Sequence, residues 1–63
     1  MTAKQFNAAL QALGLKSHGA AAAVLGIGRR SVIRYANDQQ EVPDVVRRLI
    51  LVLLRHGIPK EFA

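Results

Sequence analysis

The chain has 63 residues, of which 51% are hydrophobic, and nine Lys/Arg against four Asp/Glu give a net charge of +5. A chain of this length makes one domain, here residues 1–63, and buries only about 60% of the surface that it exposes when unfolded. There is no cysteine, which excludes disulfides and thiolate metal sites. The hydrophobic fraction is too high for a disordered chain, so we expect a small folded domain.

The excess of positive charge favours a polyanionic partner, nucleic acid before an acidic membrane surface. The longest apolar run, residues 49–54, has six residues, whereas a membrane-spanning helix needs about 20. The N-terminal residues also lack the charged stretch followed by an apolar one that marks a secretory signal. We therefore expect a cytoplasmic protein with no membrane partner.

Four short helices joined by turns are predicted, and the first begins close to Met1. Thr2 followed by Gln5 matches the capping box of a helix N-terminus. Apolar residues then recur at helical spacing at Phe6, Ala9, Leu10 and Leu13. Gly14 stands where helices commonly end in a left-handed residue, so we expect the first helix to end there.

The second and third helices are predicted on either side of a glycine turn. Ser17 is a candidate N-cap for the second helix, which passes through four consecutive alanines. Gly26 ends that helix, because a tight turn requires a left-handed backbone that glycine adopts without steric penalty. Gly28 opens the third helix, and the turn signal Asn37-Asp38 ends it.

The fourth helix is predicted from Pro43 at its first position to residues 55–56, with Gly57 ending it. Five of its apolar residues are expected to face the core, namely Val45, Val46, Leu49, Ile50 and Leu53. Asp44 is placed to pair with Arg48 one turn later. A fifth short turn can form in the tail. No strand pattern occurs, so the predicted fold is all-α, a compact bundle of four short helices.

Residues 17–35 read SHGAAAAVLGIGRRSVIRY, a short helix, a glycine turn and a second short helix. This segment resembles the helix-turn-helix of the phage Cro and lambda-repressor-like (XRE) family, and LGIGRRSVIRY is its most similar part. His18 and Ile33 depart from the family pattern, in which Gln and a polar residue are common. The resemblance implies a helix-turn-helix unit at about residues 17–37, supported by the first helix and by residues 43–56, that binds double-stranded DNA.

The third predicted helix has one basic face. At about 100° per residue, one arc of this helix holds Arg29, Arg30, Ile33, Arg34 and Asn37. Val32 and Tyr35 fall on the opposite side. An arginine can bond O6 and N7 of guanine together, and an apolar side chain can contact the thymine methyl group. We therefore assign three residues to base edges, namely Arg29, Arg30 and Ile33. The alternatives are a merely solvated basic face and an Ile33 buried against the fourth helix or a partner.

Five residues are assigned to the DNA backbone, namely Lys16, Ser17, His18, Arg34 and Asn37. The first three stand at the start of the second helix, where free backbone N–H groups suit a phosphate. The resemblance implies that this helix crosses the DNA backbone. The alternative for His18 is an ordinary exposed residue beside a helix cap.

Leu51 and Leu54 lie outside the core-facing arc of the fourth helix. Exposed leucines in so small a domain indicate an interface. Together with Ile58 and Phe62 they are predicted to form a homodimer interface, and the alternative is that the C-terminal tail folds over them. Two copies related by a two-fold axis would read a palindrome whose half-sites are about 34 Å apart.

These features predict a sequence-specific transcription regulator, a repressor of phage or mobile-element type that acts as a homodimer on a palindromic operator. The alternative is a small helical protein-interaction module with the same fold, such as an antitoxin-like one. No enzymatic activity is expected, because the sequence has no nucleophile–base pair, clustered carboxylates or phosphate-binding glycine loop. His18 and His56 are far apart without further ligands, so neither a metal nor another cofactor is expected, nor a small-molecule ligand.

Overall fold

The computed structural model describes residues 1–62 as an all-α bundle, which confirms the predicted fold class. Its elements are the helices α1 (Ala3–Ala12), α2 (His18–Leu25), α3 (Arg29–Ala36) and α4 (Asp44–His56) and a final 3₁₀ turn (Lys60–Phe62). The described residues contain no strand. No helix among them is both long and apolar enough to cross a bilayer.

The predicted capping box is formed at the start of α1. The backbone N–H of Gln5 donates to the Thr2 hydroxyl at 3.1 Å, and the Gln5 side chain accepts from the Thr2 backbone N–H at 2.9 Å. At the other end Gly14 is left-handed with φ +75°. There the backbone N–H of Leu15 donates to the Leu10 carbonyl at 2.9 Å, so the helix closes in a Schellman motif.

The glycine turn between α2 and α3 is also formed as predicted. The Ser17 hydroxyl accepts from the backbone N–H of Ala20 at 3.0 Å and caps α2. Gly26 ends α2 in the left-handed region with φ +68°, and Gly28 precedes α3 with an extended backbone. Ile27, between the two glycines, packs against the core. The left-handed residue changes the direction of the chain within a few residues, so α3 packs directly against α2.

Replacing Gly26 with alanine is expected to lower the free energy of unfolding by about 1–2 kcal/mol. A Cβ at Gly26 meets no atom within 4 Å, so the loss comes from the backbone conformation alone. Gly19→Ala is the matched control, since Gly19 lies in the first turn of α2 with a helical backbone, where alanine is favoured over glycine. Urea unfolding of both variants should therefore show opposite shifts, and equal shifts would contradict this role of Gly26.

The fourth helix begins one residue later than predicted. Pro43 is the N-cap of α4, because its backbone is extended (ψ 152°), and the helix starts at Asp44. The predicted pair between Asp44 and Arg48 is present at 2.9 Å. The same carboxylate also accepts from Arg47 at 2.6 Å, which the sequence analysis did not anticipate. Gly57 ends the helix, as predicted.

The core joins all four helices, and its largest fully buried side chains are Phe6, Val32 and Ile50. Phe6 packs edge-on against Tyr35, with ring centroids 5.7 Å apart. One core prediction is wrong, because Val45 is 78% exposed. The buried arc of α4 is centred on Val46, Ile50 and Leu53, and Val45 lies about 100° from the first of these.

Candidate nucleic-acid interface

Helix α3 has one buried and one exposed face, as its residue spacing predicts. Val32 and Tyr35 are buried on the inner side. Arg29, Arg30 and Arg34 are exposed on the opposite side. The buried pair fixes the rotation of the helix about its axis, so the three guanidinium groups are held at one surface of the domain.

Two further residues predicted to contact DNA belong to this exposed face. Asn37, the C-cap of α3, is exposed. Ile33 is half-buried but lies outside the core formed by the described residues. Part of its apolar side chain is therefore exposed on the helix that carries the three exposed arginines. An apolar group in this position is suited to the methyl group of a thymine.

The arginines of α3 have no acidic partner within residues 1–62. The ion pairs in this part of the chain involve a single carboxylate, that of Asp44 on α4, with Arg47 and Arg48. The charge of α3 is therefore not neutralised within the domain. A surface of this kind attracts a polyanion, and the attraction weakens as salt is added.

The start of α2 borders a cleft of about 430 Å³ that Asn7 and Gln11 of α1 also line. Lys16 and Ser17 are exposed there, and His18 is half-buried. The Ser17 oxygen accepts from the backbone of α2, so its hydroxyl hydrogen remains able to donate to a phosphate oxygen. Lys16, Ser17 and His18 thus lie next to one another at the start of α2.

Asn7 is a positioning residue that the sequence analysis missed. Its side-chain amide donates to the carbonyl of Ala36, at the end of α3, at 3.0 Å. This carbonyl belongs to the last turn of the helix, which has no partner within the helix itself. The two residues are 29 positions apart, so no local pattern could reveal the contact.

Asn7→Ala is expected to lower the free energy of unfolding by about 1 kcal/mol, the usual contribution of one such hydrogen bond. The loss would loosen the end of α3 against α1, so amide hydrogen exchange should quicken in residues 33–37. Gln11→Ala is the matched control, because Gln11 is an exposed polar residue of the same helix. Identical exchange in both variants would argue against a positioning role for Asn7.

The residues predicted for a dimer interface do not all lie in one exposed patch. Leu51 and Leu54 are 46% and 42% exposed, and Phe62 is 43% exposed. Ile58 is half-buried and packs against the core of its own chain. The tail, as far as Phe62, therefore does not cover Leu51 and Leu54, which was the alternative to an interface. A second exposed pair, Val45 and Val52, lies on the other flank of α4.

Within residues 1–62, no three His, Cys, Asp or Glu side chains come together as a metal site would require. Comparisons of the chain with protein-family models, curated proteins and solved structures gave no match.

Proposed function

We propose that this chain is a sequence-specific transcription regulator that inserts α3 into the major groove of double-stranded DNA. The observation that carries the proposal is the exposed basic face of α3, whose arginines have no acidic partner within residues 1–62. The groove is about 12 Å wide and admits one helix. A helix anchored by Val32 and Tyr35 on one side and basic on the other meets this requirement.

The contacts divide between bases and phosphates. Arg29 and Arg30 stand in the first turn of α3 and are proposed to read guanine, with Ile33 against a thymine methyl group. Arg34 and Asn37, further along the helix, are proposed to contact phosphates. Three residues at the start of α2 are proposed to contact the DNA backbone as well, namely Lys16, Ser17 and His18.

We further propose that the protein acts in the cytoplasm as a homodimeric repressor of phage or mobile-element type. One helix reads only a few base pairs, which is too little to select one site in a genome. Two copies read an inverted repeat whose half-sites are about 34 Å apart. The domain measures 30 × 20 × 18 Å, so two copies side by side span such a separation. Binding the operator would then exclude the polymerase.

Selection from a random DNA library, followed by titration of the selected site at several salt concentrations, tests the proposal. An inverted repeat bound far more tightly than random DNA is the expected result. If no sequence is enriched and DNA is bound weakly and only at low salt, α3 is a non-specific basic surface and the proposal is wrong.

A protein-interaction module is the second candidate function, and the exposed apolar residues of α4 favour it. Val45 and Val52 are 78% and 53% exposed, and Leu51 and Leu54 are also uncovered. Contiguous exposed apolar patches often mark sites of protein–protein interaction. Specific DNA binding in the selection experiment would assign Leu51 and Leu54 to the dimer, whereas its absence would favour this second function.

A further inference from the structure

His18 is the one histidine among the residues proposed to contact DNA. The charge of a histidine side chain changes between about pH 5 and 8, whereas arginine and lysine stay charged over that range and serine and asparagine stay neutral. Apart from Ile33, the other proposed contacts belong to these four residue types. The proposed interface therefore contains a single side chain of a type that responds to pH near neutrality.

The surroundings of His18 contain no negative group. His18 lies half-buried in the cleft of about 430 Å³ at the start of α2. From α1 the cleft is lined by Asn7, Leu10 and Gln11, none of which titrates, and from the connecting turn its one charged residue is Lys16. No residue of α3 or α4 lines it, and the first turn of α2 has no acidic residue. In the described part of the chain, a protonated His18 thus has no carboxylate partner.

We propose that protonation of His18 strengthens DNA binding, so that the protein binds its site more tightly at mildly acidic pH than at pH 8. The inference rests on the proposed function and deepens it, because it makes one backbone contact a point of regulation. A phosphodiester at the cleft is the negative partner that the imidazolium lacks within the described domain. It accepts a stronger hydrogen bond from the charged ring than from the neutral one.

DNA binding is therefore coupled to the uptake of one proton from solvent for each copy bound. The sign follows from this coupling. The contribution of the charged ring is fully present at the acidic end of the histidine range and is lost as the pH rises through it. Lys16 and Ser17 make their proposed contacts at either pH, so binding should weaken at pH 8 without being abolished. Because a charged hydrogen bond is roughly twice as strong as a neutral one, we expect a change of about 5- to 10-fold for each copy bound.

The test is a fluorescence anisotropy titration of the full chain against two labelled duplexes, the selected site and a random sequence, from pH 5.5 to pH 8 at constant ionic strength. The Kd of the parent should rise by the factor given above as the pH rises. The slope of log K against log salt should be shallower at pH 8 by about one unit for each copy bound, because one cationic contact to phosphate is lost.

Two glutamine variants separate His18 from the rest of the chain. His18→Gln keeps a side chain that can donate to a phosphate but cannot take up a proton. Its Kd should be the same at every pH and close to that of the parent at pH 8. His56→Gln is the matched control, because His56 is exposed in the last turn of α4 and has no part in the proposed interface. It should keep the pH dependence of the parent.

A pH dependence that is lost with His18→Gln and kept with His56→Gln would support the proposal. A parent whose Kd does not change with pH, or a dependence that persists in His18→Gln, would overturn it. Sequence selection is a separate measurement. If the random duplex is bound in a pH-dependent way and no sequence is enriched, the role of His18 stands and the sequence-specific function is wrong. An enriched site bound equally at every pH would mean the reverse, and a protein that binds neither duplex would overturn both.

Discussion

Replacing Arg29 or Arg30 with alanine is expected to weaken binding to the selected DNA site by about 1–3 kcal/mol, or roughly 5- to 150-fold. The reason is that the arginine guanidinium donates hydrogen bonds to both O6 and N7 of guanine. Alanine cannot make these two bonds, and no other side chain replaces them. Both residues are exposed in the first turn of α3. Each variant should also lose its preference at one base position when the library selection is repeated.

Arg34→Ala and Arg55→Ala are the matched controls for these variants. Arg34 lies in the last turn of α3 and is proposed to contact a phosphate. Its removal should weaken binding to every sequence and lower the slope of log K against log salt by about one unit. Arg55 is an exposed arginine near the end of α4 and should change neither quantity appreciably. Equal, sequence-independent losses for Arg29, Arg30 and Arg34 would contradict the proposed division between base and phosphate contacts.

Phe6→Ala is expected to lower the free energy of unfolding by about 3–5 kcal/mol. Phe6 is fully buried and packs edge-on against Tyr35, the residue that anchors α3 from inside. At about 0.05–0.15 kcal/mol per residue, a domain of this length has only about 3–9 kcal/mol of stability in total. The variant should therefore be largely unfolded at 37 °C and should fail to bind DNA for that reason.

Phe62→Ala provides the control for Phe6→Ala. Phe62 is 43% exposed in the final 3₁₀ turn, and a surface substitution of this kind changes stability by about 0.5 kcal/mol or less. Urea unfolding followed by circular dichroism at 222 nm measures both variants. A Phe6→Ala protein as stable as the Phe62→Ala protein would show that the α1–α3 contact does not maintain the fold.

Local sequence signals predicted much of this structure because they act over a few residues. The Thr2–Gln5 capping box and the left-handed Gly26 are each specified by neighbours along the chain. The division of α3 into buried and exposed faces follows from helical spacing, and Val32 and Arg30 fall on the predicted sides. The residues proposed to contact DNA could thus be assigned to one surface before the fold was known.

The sequence by itself therefore determined the all-α class, the glycine turn and the basic face of α3, since each depends on spacing within one helix or turn. Only the tertiary structure decided which arc of α4 is buried, and it left Val45 in solvent. It also revealed the Asn7–Ala36 hydrogen bond. These features depend on how helices distant in the chain are rotated against each other. That rotation is set by the fit of buried side chains such as Phe6 and Ile50, which residue spacing within a single helix does not encode.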